Sequence, residues 1–217
     1  MNNPWKDISL SDYENHMALD SVWQLQAMNQ MMKGQLNKYD IQSAMILGIA
    51  GGNGLEHVDT EKLNKVYGVD INQEYLAMTE KRYENLSDIL ECLCVDLIRE
   101  AEKLPQVNLL IANLLIEYIG YECFKEVVTV TAPMYVSCII QINVDDSFVS
   151  DSPYLHAFDG LGTVHHQMAE QELQNHMNEI DYRLIQLLEY QLPNGKKLVQ
   201  LDFCENSNRE MDLELTR

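Results

Sequence analysis

Basic residues are scarce in this chain. Its 217 residues hold 15 lysines and arginines against 34 aspartates and glutamates, for a formal net charge of −19. No block of Lys or Arg stands out, so a phosphate backbone or an anionic membrane surface meets mostly repulsion. Neither a nucleic acid nor a membrane is expected as a partner. No apolar run approaches the roughly 20 residues of a membrane span. The segment Met1 to Asp7 is polar, which argues against secretion and for a cytoplasmic protein. The cysteines are Cys92, Cys94, Cys123, Cys138 and Cys204, an odd number that falls mostly in apolar, strand-like runs. They read as buried reduced thiols rather than disulfides. Cys92 and Cys94 have no second pair to complete a zinc site.

What is present is the balance of a globular domain, with 46% hydrophobic and 23% charged residues. The length suits one α/β domain that buries its core without staples. The organising stretch is Ala44 to Asp70. Met45-Ile46-Leu47 is a short apolar strand, followed by Gly48-Ile49-Ala50-Gly51-Gly52-Asn53-Gly54, four glycines in seven residues. Such a turn tolerates positive φ and lets a ligand reach main-chain N–H groups. A helical turn from Gly54 to Val58 and a second strand, Val66 to Asp70, complete a strand, glycine turn, helix, strand, acid order. That order suits a nucleotide, with the turn at its charged end and the acid on ribose hydroxyls. Read as the dinucleotide fingerprint G-x-G-x-x-G from Gly48, the turn fails, because Ala50 and Asn53 stand where glycines belong.

Upstream, Ser11 and Glu14 form a capping box opening a helix from Asp12 to Leu19. A second helix spans about Asp20 to Leu36, ended by Gly34 and the polar run from Asn37 to Asp40. Downstream, Asn72 caps a helix to about Asn85, Ile89 to Val95 is a third strand, and Asp96 caps a helix from Leu97 to Lys103. Val107 to Asn113 is a continuous apolar run, the pattern of a strand buried on both faces. A helix from Gly120 to Thr131 and a fifth strand, Met134 to Ile142, follow. The stretch from Asn143 to His166 has no period, and a loop this long in a compact domain is usually functional or disordered. After a helix from Gln167 to Glu179, two strand-like runs, Tyr182 to Gln191 and Lys196 to Phe203, flank Pro193-Asn194-Gly195, a strong hairpin signal.

From Ala44 to Phe203 the chain resembles the class I S-adenosylmethionine-dependent methyltransferases, through the spacing of its motifs and the C-terminal hairpin more than through any single motif; Ala50, Gly52 and Gly54 stand at the positions of the family's alternating glycines. Gly48 stands where that family usually has an acid, and Ala50 where it has its first glycine. The resemblance implies a Rossmann-like seven-stranded sheet, mostly parallel with a C-terminal antiparallel hairpin, and helices on both faces. Residues 1–43 would form a helical lid, 44–204 the cofactor-binding domain and 205–217 a charged tail. The implied cofactor is S-adenosylmethionine and the implied activity methyl transfer to a small-molecule acceptor. Gly48, Ile49, Ala50, Gly52 and Gly54 would pack on its methionine end. Asp70 would take the ribose hydroxyls, Ile71 the adenine face, and Asp96 with Leu97 the adenine edge. Asn113, Glu117 and Tyr118, at the carboxyl end of the fourth strand, would meet the cofactor or acceptor. Asn108 stands where the family often starts that strand with an acid.

Tyr13 and His16 on the first helix, Tyr154 and His156, and His165 beside His166 are the acceptor-site candidates. Methyl transfer is an in-line displacement, so proximity and orientation supply much of the rate. A base is needed only where the acceptor must lose a proton, and Glu117 and His156 are the candidates. His165, His166, Asp145, Asp146 and Asp159 are weighed as metal ligands and disfavoured, since adjacent histidines point in different directions. A nucleotide-dependent oxidoreductase and a non-catalytic S-adenosylmethionine-binding protein stay open, as does homo-oligomerisation.

Overall fold

The apolar runs form one seven-stranded sheet. A computed structural model describes residues 3–143 and 147–206. The strands are β1 Ser43–Leu47, β2 Lys65–Asp70, β3 Leu90–Cys94, β4 Leu109–Asn113, β5 Tyr135–Ile142, β6 Tyr182–Gln191 and β7 Lys197–Glu205, in the order β3-β2-β1-β4-β5-β7-β6. The first five pair in parallel, while β7 runs antiparallel to both β5 and β6. The hairpin turn is where Asn194-Gly195 predicts it, with Gly195 at φ +85°. This hairpin folds back so that β7, not β6, joins the parallel strands.

Among the described residues six α-helices accompany the sheet: α1 Leu10–Ala18, α2 Gln24–Lys38, α3 Gln73–Arg82, α4 Leu97–Glu100, α5 Ile116–Thr131 and α6 Glu170–Glu179. The largest apolar core joins α5 and α6 to alternate residues of β1, β4, β5 and β7, with Met45, Leu110, Phe124, Val136, Leu173 and Phe203 at its centre. A second core lies on the opposite side, where Met32 and Leu36 of α2 and Leu76 of α3 cover Ala44, Ile46, Val66 and Ile111. Both faces of β1 and β4 are thereby buried, which is why these strands read as unbroken apolar runs.

Several local expectations shift. The cap of α1 is Ser9, whose Oγ accepts from the Asp12 N–H at 3.1 Å, and not Ser11. Glu14 is drawn away from any capping role by an ion pair with Arg82. Gly34 lies inside α2, where nothing crowds it, and the helix runs on to Lys38. Gly120 interrupts α5 rather than starting it, at φ +76° and ψ +165°, a region open essentially to glycine alone. That break sets apart a first turn carrying Glu117 and Tyr118. Cys138 and Cys204 are buried, but Cys94 is exposed on the edge strand β3. Glu205 ends β7 instead of opening a tail, and residues 207–217 lie outside the described residues. Asn108 sits at the end of the sheet opposite the glycine turn, where its Oδ1 accepts from the N–H groups of Gln42 and Ser43.

Candidate active site

At the carboxyl ends of β1, β2 and β4 the chain leaves a cleft, the usual place for ligands in an open α/β sheet. It measures about 720 Å³ counted to its open mouth, and Gly48, Ala50, Asp70, Ile71, Asp96 and Asn113 are among its walls. Asp70 is the anchor. Its Oδ2 accepts from the Ala50 N–H at 2.9 Å and its Oδ1 from the Asn72 N–H at 2.9 Å. A carboxylate has about four lone-pair sites, and the backbone N–H groups of Ala50, Asn72 and Ile71 use only part of that capacity, so Asp70 can still accept from a ligand. Burial raises the Asp70 pKa, and the backbone donors of Asn72, Ala50 and Ile71 oppose that rise. Ala50 holds φ +47°, where its Cβ is strained, and Leu114, just past β4, holds φ +53°. Such backbone costs of order 1–3 kcal/mol each cluster at binding sites.

Two further cavities join this cleft. One, about 470 Å³, lies between α2 and the glycine turn and is lined by Met28, Met32, Gly48, Ala50, Asn53 and Asn113 among others. Glu14 borders it, its charge taken up by Arg82, which also donates to the Gly51 carbonyl at 3.1 Å. The other, about 560 Å³, continues past Leu114 and Tyr118 beneath the irregular loop after β5. Trp5, Tyr13, Leu114 and Tyr118 border both it and the first cleft. The N-terminal segment is fastened across the opening: the Trp5 carbonyl accepts from Asn72 Nδ2 at 3.0 Å and the Ile8 carbonyl from the Tyr75 hydroxyl at 2.9 Å.

No protein-family model matches this sequence. No curated protein matches it in sequence either. Solved structures do match. N-methyltransferase NodS from Bradyrhizobium japonicum WM9, in complex with S-adenosyl-L-homocysteine, superposes with a TM-score of 0.65 at 11% identity, over 94% of this chain and 99% of that one. Cyclopropane synthase MmaA2 from Mycobacterium tuberculosis gives 0.62 at 9% identity, over 88% of each chain. Magnesium protoporphyrin IX methyltransferase (ChlM) from Synechocystis PCC 6803, with bound SAM, gives 0.57 at 8% identity, over 84% of this chain and 78% of that one. The chain has the class I methyltransferase fold. At these identities the similarity carries the fold and not the reaction, as the differing names of these three proteins illustrate.

Within the methyltransferase fold, the residues singled out by sequence separate into two groups. Gly48, Ala50, Asp70, Ile71, Asp96, Leu97 and Asn113 border the main cleft, and Ile49 borders the cavity beside α2. Gly52 and Gly54 do not line any of these cavities. A Cβ on Gly52 would come within 2.7 Å of Tyr83, and one on Gly54 within 2.9 Å of Met32. These two glycines let α3 and α2 pack onto the turn, so their role here is close approach of protein rather than ligand. Asn113 turns its amide toward Gln35, with two reciprocal hydrogen bonds of 2.9 Å.

Tyr13, His16, Glu117, Tyr118 and His165 all border the far cavity. His156 does not: its side chain is 93% exposed and faces only Asp159, at 3.4 Å. Tyr154 packs instead beside Ile8, Phe158 and Leu161. The turn from Leu155 to Thr163 directs Phe158 and Leu161 inward and so leaves His156 outward. His156→Ala is therefore expected to leave S-adenosylhomocysteine affinity and melting temperature unchanged; a several-fold loss of affinity would place this histidine in the site after all. Asp145 and Asp146 lie outside the described residues. Among those described, the side chains grouped as metal ligands are Glu122, His176 and Glu179, and Lys125 pairs with both acids at 3.0 and 2.6 Å.

Sequence reasoning missed Trp5, Gln24, Gln141, Phe148 and Phe158, all on the far cavity. The one available signal was Trp5 itself, a large aromatic in an otherwise polar segment that must find a surface to cover.

Proposed function

We propose that this chain binds S-adenosylmethionine in the cleft at the ends of β1, β2 and β4 and methylates a small molecule held in the adjoining far cavity. The observation that carries this is Asp70, tied by backbone donors to the glycine turn with accepting capacity to spare, on a cleft that opens into a second chamber. S-Adenosylmethionine supplies an electrophilic methyl carbon on a positively charged sulfur. The chain's residues fit it. Asp70 would accept from the ribose hydroxyls; Ile71, Asp96 and Leu97 would border the adenine; and the turn from Gly48 to Gly51 would border the methionine end. With Gly48 in place of an acid, the acceptors bordering that end include the Glu14 carboxylate, paired with Arg82, and the Asn113 amide. Residues 3–43 act as a cover, since Trp5 and Tyr13 border the cleft and exclude water above it.

Complexes of two structural neighbours with S-adenosylmethionine or its demethylated product support this cofactor. The sheet order speaks against the oxidoreductase reading: β7 enters beside β5, whereas the dinucleotide-binding order ends 4-5-6 in sequence. Calorimetric titration with S-adenosylmethionine, S-adenosylhomocysteine and NAD tests the reading. Micromolar binding of the first two, and none of NAD, is the expected result. Binding of NAD alone would overturn it, and cofactor binding without turnover over a broad acceptor panel would favour a binding protein.

A further inference from the structure

The far cavity has an unusual electrostatic composition. Its walls are aromatic: His165 stacks on Phe148 with ring centroids 3.8 Å apart and planes 14° from parallel. Tyr118 meets both His165 and Trp5 edge-on, at 5.8 and 4.9 Å. Among the described residues this lining holds one carboxylate, Glu117, which is 4% exposed. Its Oε1 accepts from the Gln141 N–H at 2.9 Å. Its Oε2 is buried and has no hydrogen-bond partner among the described residues, and the same holds for the indole nitrogen of Trp5. The other titratable side chains on the wall stay neutral near pH 7. Burial raises the pKa values of the Tyr13 and Tyr118 hydroxyls and lowers those of His16 and His165, the last to about 4. Lys196, which adds to the lowering of both histidines, donates to the Phe148 carbonyl at 2.8 Å.

We propose that the acceptor is a small amine carrying an aromatic or branched apolar body, with its nitrogen against Glu117 Oε2 and its body between the rings of Trp5, Tyr118 and Phe148. This rests on the methyl-transfer reading and names the substrate class of the same site. A buried carboxylate without a partner is costly, and a ligand that brings both a positive charge and N–H donors relieves that cost most fully. Aromatic faces attract a cation through the ring quadrupole. An alcohol supplies one donor but leaves the charge uncompensated. An anionic acceptor meets the repulsion of the Glu117 charge. The chain's net charge of −19 likewise favours the approach of cations.

Glu117 then has a chemical task besides binding. An ammonium group has no lone pair to share. Transfer of one proton from the ammonium nitrogen to Glu117 Oε2 breaks an N–H bond and forms an O–H bond. The nitrogen keeps the electron pair, and the result is a neutral amine beside a neutral carboxylic acid. A low-polarity pocket favours that neutral pair over separated charges. The nucleophilic nitrogen so exposed lies in the chamber that shares Trp5, Tyr13, Leu114 and Tyr118 with the cofactor cleft.

Three probes of one shape decide the matter: phenethylamine, phenethyl alcohol and hydrocinnamate. Each is titrated into the full-length protein with and without S-adenosylhomocysteine, followed by calorimetry and by tryptophan fluorescence, since Trp5 is on the wall. The amine is expected to bind at least about tenfold more tightly than either analogue. Glu117→Gln is expected to remove that preference while the alcohol's affinity stays within about twofold. Equal binding of amine and alcohol to the wild-type protein overturns the proposal without recourse to any variant. S-Adenosylhomocysteine binding with no amine preference overturns the amine assignment and leaves the methyl-transfer reading intact. Amine preference without S-adenosylhomocysteine binding supports the amine site and removes that reading.

Discussion

Asp70→Asn is expected to weaken S-adenosylhomocysteine binding by about a hundredfold or more, each hydrogen bond to a charged group being worth about 1.5–3 kcal/mol. The carboxylate accepts from Ala50 N–H on one oxygen and Asn72 N–H on the other, both at 2.9 Å. Asp70 lines the cleft and keeps accepting capacity for a ligand donor. An asparagine keeps one acceptor and turns an NH2 group toward a backbone N–H, so one tie to the turn breaks and one ribose hydroxyl loses its partner. The charge that strengthens the remaining bond is also gone. Burial has raised the Asp70 pKa, so wild-type affinity should fall as the pH drops through that raised value, while the asparagine variant shows no such step. Calorimetry with thermal melts on both proteins checks this. A folded Asp70→Asn protein that binds within threefold of wild type would detach this acid from the ligand, and with it the proposed cofactor.

That site was legible in the sequence because its parts are local. The apolar run at Met45, the glycine turn and the acid closing the next strand lie within one short β-turn-β unit, and chain geometry leaves them little choice but to converge. The terminal hairpin was legible for a similar reason: Asn194-Gly195 fixes the turn, and the turn fixes the register of β6 on β7. What escaped depends on tertiary packing. Nothing in the pattern G-G-N-G says that Gly52 faces Thr79 and Tyr83 while Gly48 faces the cleft; the difference is set by where α3 docks. The far cavity was legible in part: Tyr13, His16, Glu117, Tyr118 and His165 were singled out, but Trp5, Gln24, Gln141, Phe148 and Phe158 were not. It is assembled from Trp5, the first turn of α5, Gln141 and an aperiodic loop, so its members are far apart in sequence. Without a period, the loop gave no way to tell that Phe148, Phe158 and His165 turn inward and His156 outward. Gly120 was read as a helix start, whereas α5 begins one turn earlier, at Ile116, and Gly120 breaks it.

Glu117 gives the second large effect, on stability. Burial lifts its pKa from 4.5 to about 7, against the opposing pull of the N–H donors of Gln141 and of Glu117 itself. A carboxyl whose folded pKa lies above its unfolded value binds more protons in the folded state between the two values. Its contribution to stability is therefore greatest below about pH 4.5, declines as the pH rises to about 7 and is constant above that. At 1.36 kcal/mol per unit the full span is about 3 kcal/mol. Glu117→Gln keeps an oxygen for the Gln141 N–H and removes the charge. It leaves the NH2 group as poorly partnered as the protonated acid, so the two proteins should be of similar stability in acid. Near pH 8 the variant should be the more stable by about 3 kcal/mol, which for a chain of this size corresponds to several degrees in melting temperature. Other groups facing Glu117 do not blur the comparison. Tyr118, Tyr121 and Cys138 ionise above this window, their pKa values raised partly by Glu117 itself. His16 and His165 titrate within or below it, but in both proteins alike. Urea unfolding at pH 5 and pH 8 measures the double difference. A bound amine should close the gap at pH 8 by stabilising wild type alone, because only the carboxylate gains from the pairing. A stability difference that does not change with pH would mean that Glu117 is already neutral or already paired, and the chamber would then lack the charge on which amine recognition depends.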